Sequence, residues 1–352
     1  MRSVAVWWML FGVSVLMVSS CRGFQKNSLG PDQNALFYEH AGSIWSMSED
    51  GEANEVVRVP EHYHSAVVLR DGIVAVTERG TLGRRWGEGQ FKSITAFPTV
   101  DGRGALGWLG ESTASFSWQD ADRRRSRFGV VNGYPWKVTS SEVSGNVSVV
   151  GFQPSSNSVL LQPRGQDPAF KELWLADLSS GHSGEKIQVS GYGSAAVAPA
   201  GKKVVSADRV VQNRIMYTLL RYYELTDDNS WVQQGETRVP DTADEPRRLA
   251  WSPAGNEVYL LMVDHEAIGD SQSASQLYLW RWGTEDQALE KVSGPLPVGS
   301  SLEAVASREG LWIIRGPVRK HWHLLHGDGR IQELALPAGS MLIESAGWRL
   351  VR

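Results

Sequence analysis

The stretch that decides the fold is residues 249–282: LAWSPAGNEVYLLMVD over 249–264, a polar insert, then QLYLWRW over 276–282. Leu249 and Trp251 alternate with Ala250 and Ser252, which is the two-residue period of a strand. Ser252-Pro253-Ala254-Gly255-Asn256 then breaks the run, because proline presets φ for the second position of a tight turn and glycine accepts a left-handed residue beside it. Residues 258–263 and 277–282 are β-branched and aromatic runs, too short for a helix. A turn at Gly283-Thr284-Glu285-Asp286 leads into a fourth strand over 288–292. Four short strands joined in this way make one antiparallel sheet.

Weaker copies of that sheet recur along the chain. One landmark is a tight turn after an apolar strand, at Arg70-Asp71-Gly72, Leu109-Gly110-Glu111, Gln153-Pro154-Ser155-Ser156, Ala198-Pro199-Ala200-Gly201, Ser252-Pro253-Ala254-Gly255, Ser307-Arg308-Glu309-Gly310 and Ser345-Ala346-Gly347. A second is a polar turn before the last strand of each unit, at 48–51, 87–89, 131–133, 177–184, 226–229, 283–286 and 327–329. The two series alternate, and the first recurs near the period of a propeller blade, roughly 40–50 residues. The fold expected is all-β: a seven-bladed β-propeller of four-stranded antiparallel blades, with six or eight blades as the alternatives. Pro and Gly interrupt every window before an amphipathic helix could run three turns, which argues against an α/β domain.

The first unit, over 35–38, 43–48 and 55–59, lacks an innermost strand. Residues 341–344, the Ser345-Ala346-Gly347 turn and residues 348–351 read as strands one and two of a blade, so the carboxy terminus is expected to complete the first blade, by three strands plus one or two plus two. Closure of that kind leaves no open ring edge.

The chain has 352 residues, 41% hydrophobic and 21% charged, with 15 Trp, a count that suits flat sheet-to-sheet interfaces. A net charge of −4 argues against a nucleic-acid binder. Arg2 followed by an apolar run over 4–18 reads as a signal peptide over 1–20. Val18-Ser19-Ser20-Cys21 looks like a bacterial lipobox, and Cys21, the single cysteine, is the expected lipidation site. Residues 21–34, with Gly23, Gly30 and Pro31, read as a tether, and 35–352 as the propeller. The expected address is the bacterial cell envelope, on the periplasmic or extracellular side of a membrane that the protein grips through acyl chains such as palmitate.

LAWSPAGNEVYLLMVD…QLYLWRW, with the degenerate VAPAGKKVVSAD and GFQPSSNSVLLQP…KELWLADLSSG, resembles the WSPDG-type (PD40) repeat of TolB-like propellers. LpqB-type lipoproteins are similar in joining a lipobox to a propeller, although TolB and LpqB-type proteins both carry an extra domain. Ala254 stands where the family usually has Asp. The resemblance implies an exported propeller that binds a partner.

Motifs for chemistry are sparse. Gly102-Arg103-Gly104-Ala105-Leu106-Gly107 fits the spacing of a dinucleotide loop, but Leu106-Gly107-Trp108 reads as an inner strand and no helix follows to meet a pyrophosphate. No cofactor is expected. There is no GxSxG elbow, and Gly110-Glu111-Ser112-Thr113-Ala114 falls in a hairpin. His321 and His323 share one face of a strand, with His326 nearby, and His62 and His64 repeat the spacing; neither pair has a third ligand, so no metal is expected. Asp120 to Arg127 (DADRRRSR) is the densest charge run, read as a solvated loop or as a site for an anionic partner.

In a four-stranded blade the link between strands two and three emerges on the same face as the link to the next blade. The long polar segments, 120–127, 162–169, 241–248, 264–275 and 316–320, all belong to that face. Loops on a rigid scaffold carry binding, so the candidates are Arg124, Arg164, Asp244, Arg247, Asp264, His265 and Arg319, at the channel mouth. The expectation is a monomeric, membrane-anchored propeller that binds a protein or envelope component without catalysis. The alternatives are a glycan- or peptide-active enzyme with its site at the channel mouth, and a structural envelope scaffold.

Overall fold

The computed structural model describes residues 32, 35–60, 62–96, 102–120, 122, 124–153, 157–163, 170–180, 183–190, 195–198, 201–228, 230–241, 243, 246, 248–265, 276–307, 310–317 and 321–351. Every element among them is a strand, and the strands form a ring of seven antiparallel blades.

Blade 1 holds β1 (Leu36–His40), β2 (Ser43–Met47) and β3 (Ala53–Arg58). Blade 2 is β4 (Tyr63–Leu69), β5 (Gly72–Thr77), β6 (Gly80–Arg85) and β7 (Lys92–Ala96). Blade 3 is β8 (Arg103–Gly110), β9 (Thr113–Gln119), β10 (Arg125–Asn132) and β11 (Lys137–Ser144). Blade 4 is β12 (Val147–Gln153), β13 (Ser158–Pro163), β14 (Phe170–Asp177) and β15 (Ser183–Ser190). Blade 5 is β16 (Ala195–Val197), β17 (Lys203–Gln212), β18 (Ile215–Leu225) and β19 (Trp231–Arg238). Blade 6, the stretch quoted first, is β20 (Leu249–Trp251), β21 (Glu257–Asp264), β22 (Gln276–Gly283) and β23 (Leu289–Lys291). Blade 7 is β24 (Ser301–Ala306), β25 (Leu311–Arg315), β26 (Trp322–His326) and β27 (Ile331–Leu334). Two short carboxy-terminal strands remain, β28 (Met341–Ile343) and β29 (Trp348–Leu350).

The first series of turns joins strands one and two of blades 2 to 7, the second joins strands three and four of every blade, and Ser345-Ala346-Gly347 joins β28 to β29. The alternating direction of antiparallel strands sets them all on one face. In blade 6 the amide of Gly255 donates to the Ser252 carbonyl at 2.9 Å and the amide of Ser252 to the Glu257 carbonyl at 2.8 Å, which closes the turn read from Ser252-Pro253-Ala254-Gly255. Three loop boundaries differ: Gln162 and Pro163 belong to β13, Asp264 belongs to β21, and Arg125 and Arg127 fall in β10, where Arg127 donates through Nη1 to the Ala96 carbonyl at 3.2 Å.

Ring closure is three strands plus one. β28 pairs with β1 at Phe37↔Ile343 and Tyr38↔Leu342 and becomes the innermost strand of blade 1. Residues 348–350 do not become its second strand, because β1 already occupies that edge of β28. The chain reverses at Ser345, whose amide donates to the Trp348 carbonyl at 3.0 Å. β29 then pairs with β24 at Ala304↔Leu350 and Ala306↔Trp348, a fifth strand on the inner edge of blade 7.

The core is divided among the blade interfaces. Seven apolar clusters sit between neighbouring blades, one for each interface. Tryptophans fill several of them: Trp251, Trp280 and Trp282 between blades 5 and 6, Trp312 between 6 and 7, Trp322 and Trp348 between 7 and 1, and Trp118 between 2 and 3. Burying side chains of this size contributes on the order of 25 cal/mol per Å² of apolar surface, so the sheets stack through the flat rings for which the Trp count was read.

Candidate functional site

Each innermost strand runs from the long-link face toward the short-turn face, and the seven together wall a central channel. At the short-turn end Glu344 follows Ile343, the last residue of β28, and is buried. The Glu344 carbonyl accepts from the amide of Val68 at 2.9 Å, tying blade 1 to blade 2. Its carboxylate accepts from the Trp108 amide at 2.9 Å and from the Leu350 amide at 3.2 Å. One side chain thus joins blade 3, blade 1 and the carboxy-terminal strand. β29 turns back into the channel: Arg349 donates through Nη1 to the Trp108 carbonyl, its guanidinium lies 5.0 Å from the centre of the Trp108 ring, and the Val351 amide donates to the Glu303 carbonyl at 2.9 Å.

What remains of the channel there is a cavity of about 90 Å³, lined in part by Trp108, Ser115, Gln162, Trp251, Glu344 and Arg349. Pockets for drug-sized ligands hold roughly 300–1,000 Å³, so this space suits a few atoms. A wider apolar groove of about 570 Å³ opens between blades 7 and 1 at Leu36, Met47, Leu311, Leu334 and Trp348. A third, of about 430 Å³, lies on the long-link side of blade 5, beside Met216, Thr218 and Pro240.

The candidates read from the sequence take different positions. Arg124 is exposed on the link between β9 and β10, 3.9 Å from Asp122. Asp264, the last residue of β21, is buried, and Lys291 Nζ meets its carboxylate at 2.6 Å. The lysine reaches it across two rings, 4.5 Å from the centre of Tyr278 and 5.3 Å from that of Trp280. The carboxylate therefore faces a cation between blades, and His265 beside it is exposed. Arg164, Asp244, Arg247, Arg319 and Cys21 lie outside the described residues, as do the signal-peptide and most of the tether readings.

The histidine pairs are set by neighbours. His321 and His323 stack with centroids 6.5 Å apart, and His321 Nδ1 lies 2.9 Å from Glu333, whose carboxyl that hydrogen bond holds below its usual range. His62 and His64 meet edge to face at 6.0 Å, and burial lowers the His64 pKa. Among the described residues no group of three or more His, Cys, Asp and Glu side chains is placed to hold a metal ion.

Sequence reading missed Glu344 and Arg349, because both were taken as ordinary strand residues of one blade. It also passed over β17 and β18, which at 10 and 11 residues are the longest strands of the ring. The signal for that hairpin was present as an unbroken run from Lys203 to the turn at Thr226.

Fold and channel together define a seven-bladed β-propeller closed by its own carboxy terminus. Among solved structures it is similar to an oligogalacturonate lyase in complex with manganese, at TM-score 0.52 and 10% identity over 90% of this chain and 88% of that one. It is also similar to a protein from Lactobacillus plantarum, at TM-score 0.50 and 11% identity over 90% and 98%. TolB from Acinetobacter baumannii matches at TM-score 0.40 and 11% identity over 89% and 80%. Likeness at such identities is a likeness of fold. No protein-family profile matches the chain, and no curated protein matches it in sequence.

Proposed function

We propose that this chain is an exported lipoprotein of the bacterial envelope, anchored through Cys21, whose propeller binds a protein or envelope component without catalysis. The observation that carries the binding reading is the difference between the two faces. Short turns join strands on one face, while the strand ends joined by the longer links, at Gln119 and Arg125, Pro163 and Phe170, Arg238 and Leu249, Asp264 and Gln276, and Arg315 and Trp322, lie on the other, and links on a rigid frame are where recognition concentrates. The lipobox Val18-Ser19-Ser20-Cys21 and the resemblance to TolB-like repeats support the address.

Two measurements test this. Radiolabelled palmitate enters the wild type and not Cys21→Ala; equal labelling of both would remove the anchor from the proposal. A photo-crosslinking amino acid in place of Arg124 or His265, on the long-link face, gives one reproducible adduct in intact cells. No adduct, together with turnover in a screen of glycans and peptides, would replace the binding module with an enzyme.

A further inference from the structure

Two successive links repeat one motif: Leu296-Pro297-Val298-Gly299-Ser300 leads from blade 6 into β24, and Leu336-Pro337-Ala338-Gly339-Ser340 leads from blade 7 into β28. In each the serine amide donates to the proline carbonyl at 3.1 Å across a glycine at positive φ, 92° and 85°. Each serine is buried, at 6% and 5% exposure, and neither hydroxyl has a hydrogen-bond partner among the described residues. The copies differ in what covers them. A Cβ at Gly299 would stand 3.2 Å from Pro317, in the link between β25 and β26, whereas one at Gly339 would meet no described residue within 4 Å. The corresponding link of blade 1 is only Ala41 and Gly42, between β1 and β2.

Beside Ser340 lies a cavity of about 310 Å³, where β28 and β29 part to join blades 1 and 7. Glu303, Ser340, Met341, Leu342 and Leu350 line it at the long-link end of the channel, where β28 starts. Glu303 stands at the bulge between Leu302 and Ala304 of β24, and a bulge re-aims the side chain it carries. Its carboxylate is half-buried and accepts from the Ser301 hydroxyl at 2.5 Å, which leaves its second oxygen for another donor. Arg315 and Trp322 complete the wall, the guanidinium 4.6 Å from the centre of the ring, and that arginine keeps other contacts as well.

We infer that this cavity binds a neutral sugar ring, with neighbouring hydroxyls of the ring held by Glu303 and Ser340. Hydroxyls suit both groups, because each can donate to a carboxylate and can donate to or accept from a serine hydroxyl. A buried hydroxyl without a partner is a cost that such a ligand removes. Charge selects against the ionised alternatives. An ammonium would share the space with the Arg315 guanidinium and a carboxylate with Glu303, whereas a neutral ligand meets neither repulsion, whatever Arg315 holds besides. The volume is at the low end for small-molecule sites, roughly 300–1,000 Å³, and suits a single ring. The inference rests on the binding-module reading and names the chemistry of the envelope component.

The test uses the full chain and saturation-transfer NMR with probes built on one ring: methyl glucoside, glucosamine at a pH where its amine is charged, and glucuronate, with the galacto and manno forms of each alongside. At least one neutral glycoside is expected to bind saturably and more tightly than its charged counterparts. Glu303→Gln weakens that binding about tenfold or more, the loss of one hydrogen bond to a charged group, and Ser340→Ala weakens it as well. Ser300→Ala removes the equivalent buried hydroxyl from the sister motif, which does not line the cavity, and leaves binding unchanged. Neither serine hydroxyl has a partner to lose, and unchanged far-UV dichroism and melting show that each variant is folded. No saturable binding of any neutral glycoside, tighter binding of an amino or acidic sugar, or equal effects of Ser300→Ala and Ser340→Ala overturns the inference. So does binding that Glu303→Gln leaves unchanged. Adducts formed from Arg124 or His265 are read separately, so loss of the sugar inference leaves the binding-module reading standing, and loss of those adducts tests that reading itself.

Discussion

A Cβ at residue 102 would stand 2.3 Å from the Trp118 ring and 2.5 Å from the Gln119 carbonyl oxygen, and one at residue 104 would stand 2.5 Å from the Val76 side chain. Trp118 is 1% exposed, so its ring has no room to retreat. The glycines that fit a dinucleotide-loop spacing thus serve the close approach of β8 to β9 and to blade 2. Gly102→Ala is expected to lower the unfolding free energy by about 1–3 kcal/mol, the usual cost of overpacking, measured by urea titration. A neutral variant would mean that these contacts do not decide the residue. The spacing was legible in the sequence, and its purpose was not, since the tryptophan that needs the space is on the next strand. Asp264 is a parallel case: its place at a strand end could be read, but the Lys291 that neutralises it comes from a different strand of the blade.

At the scale of elements, strand period and turn residues gave nearly all of the ring. Residues 258–263 and 277–282 fall within β21 and β22, and the polar turns at 226–229 and 327–329 link β18 to β19 and β26 to β27. Pairing partners were harder to read. An alternating run such as that at 348–351 specifies a strand but carries no mark of the edge it joins; occupancy of the β28 edge by β1 decides that. β29 nevertheless adds real stability, because Trp348 is 6% exposed and packs in the cluster between blades 7 and 1. Deleting residues 348–352 is expected to cost at least about 3–5 kcal/mol, the range for removing a large buried aromatic, while β28 keeps the ring closed and the elution volume on size exclusion that of the wild type. Deleting residues 341–352 also bares the β1 edge, and size-exclusion chromatography is expected to show association for that variant alone. A 341–352 deletion that elutes like the wild type would mean that β28 is not what guards the ring.

For the molecule as a whole, the ring has a polarity that follows from where the chain enters it. β1 is the second strand of its blade, so it starts at the short-turn face, opposite the β17–β18 tip. On the proposed anchoring at Cys21, a flexible chain of about 15 residues would have a root-mean-square span of ~21 Å, whereas an 11-residue strand such as β18 is ~36 Å long at about 3.3 Å per residue. A lipid on Cys21 would therefore set the short-turn face toward the bilayer more often than such a chain would let the ring turn over, and would leave the long-link face free for the partner proposed. Cys21 is the single cysteine, and once acylated it leaves an introduced thiol as the one labelling site. With the lipidated protein in vesicles that carry a headgroup dye, a donor on Asp50→Cys, in the turn between β2 and β3, is expected to transfer energy more efficiently than one on Arg214→Cys at the hairpin tip. Equal transfer from the two positions would mean that the tether imposes no orientation, and stronger transfer from position 214 would place the hairpin against the membrane and remove the geometric argument for a protein partner.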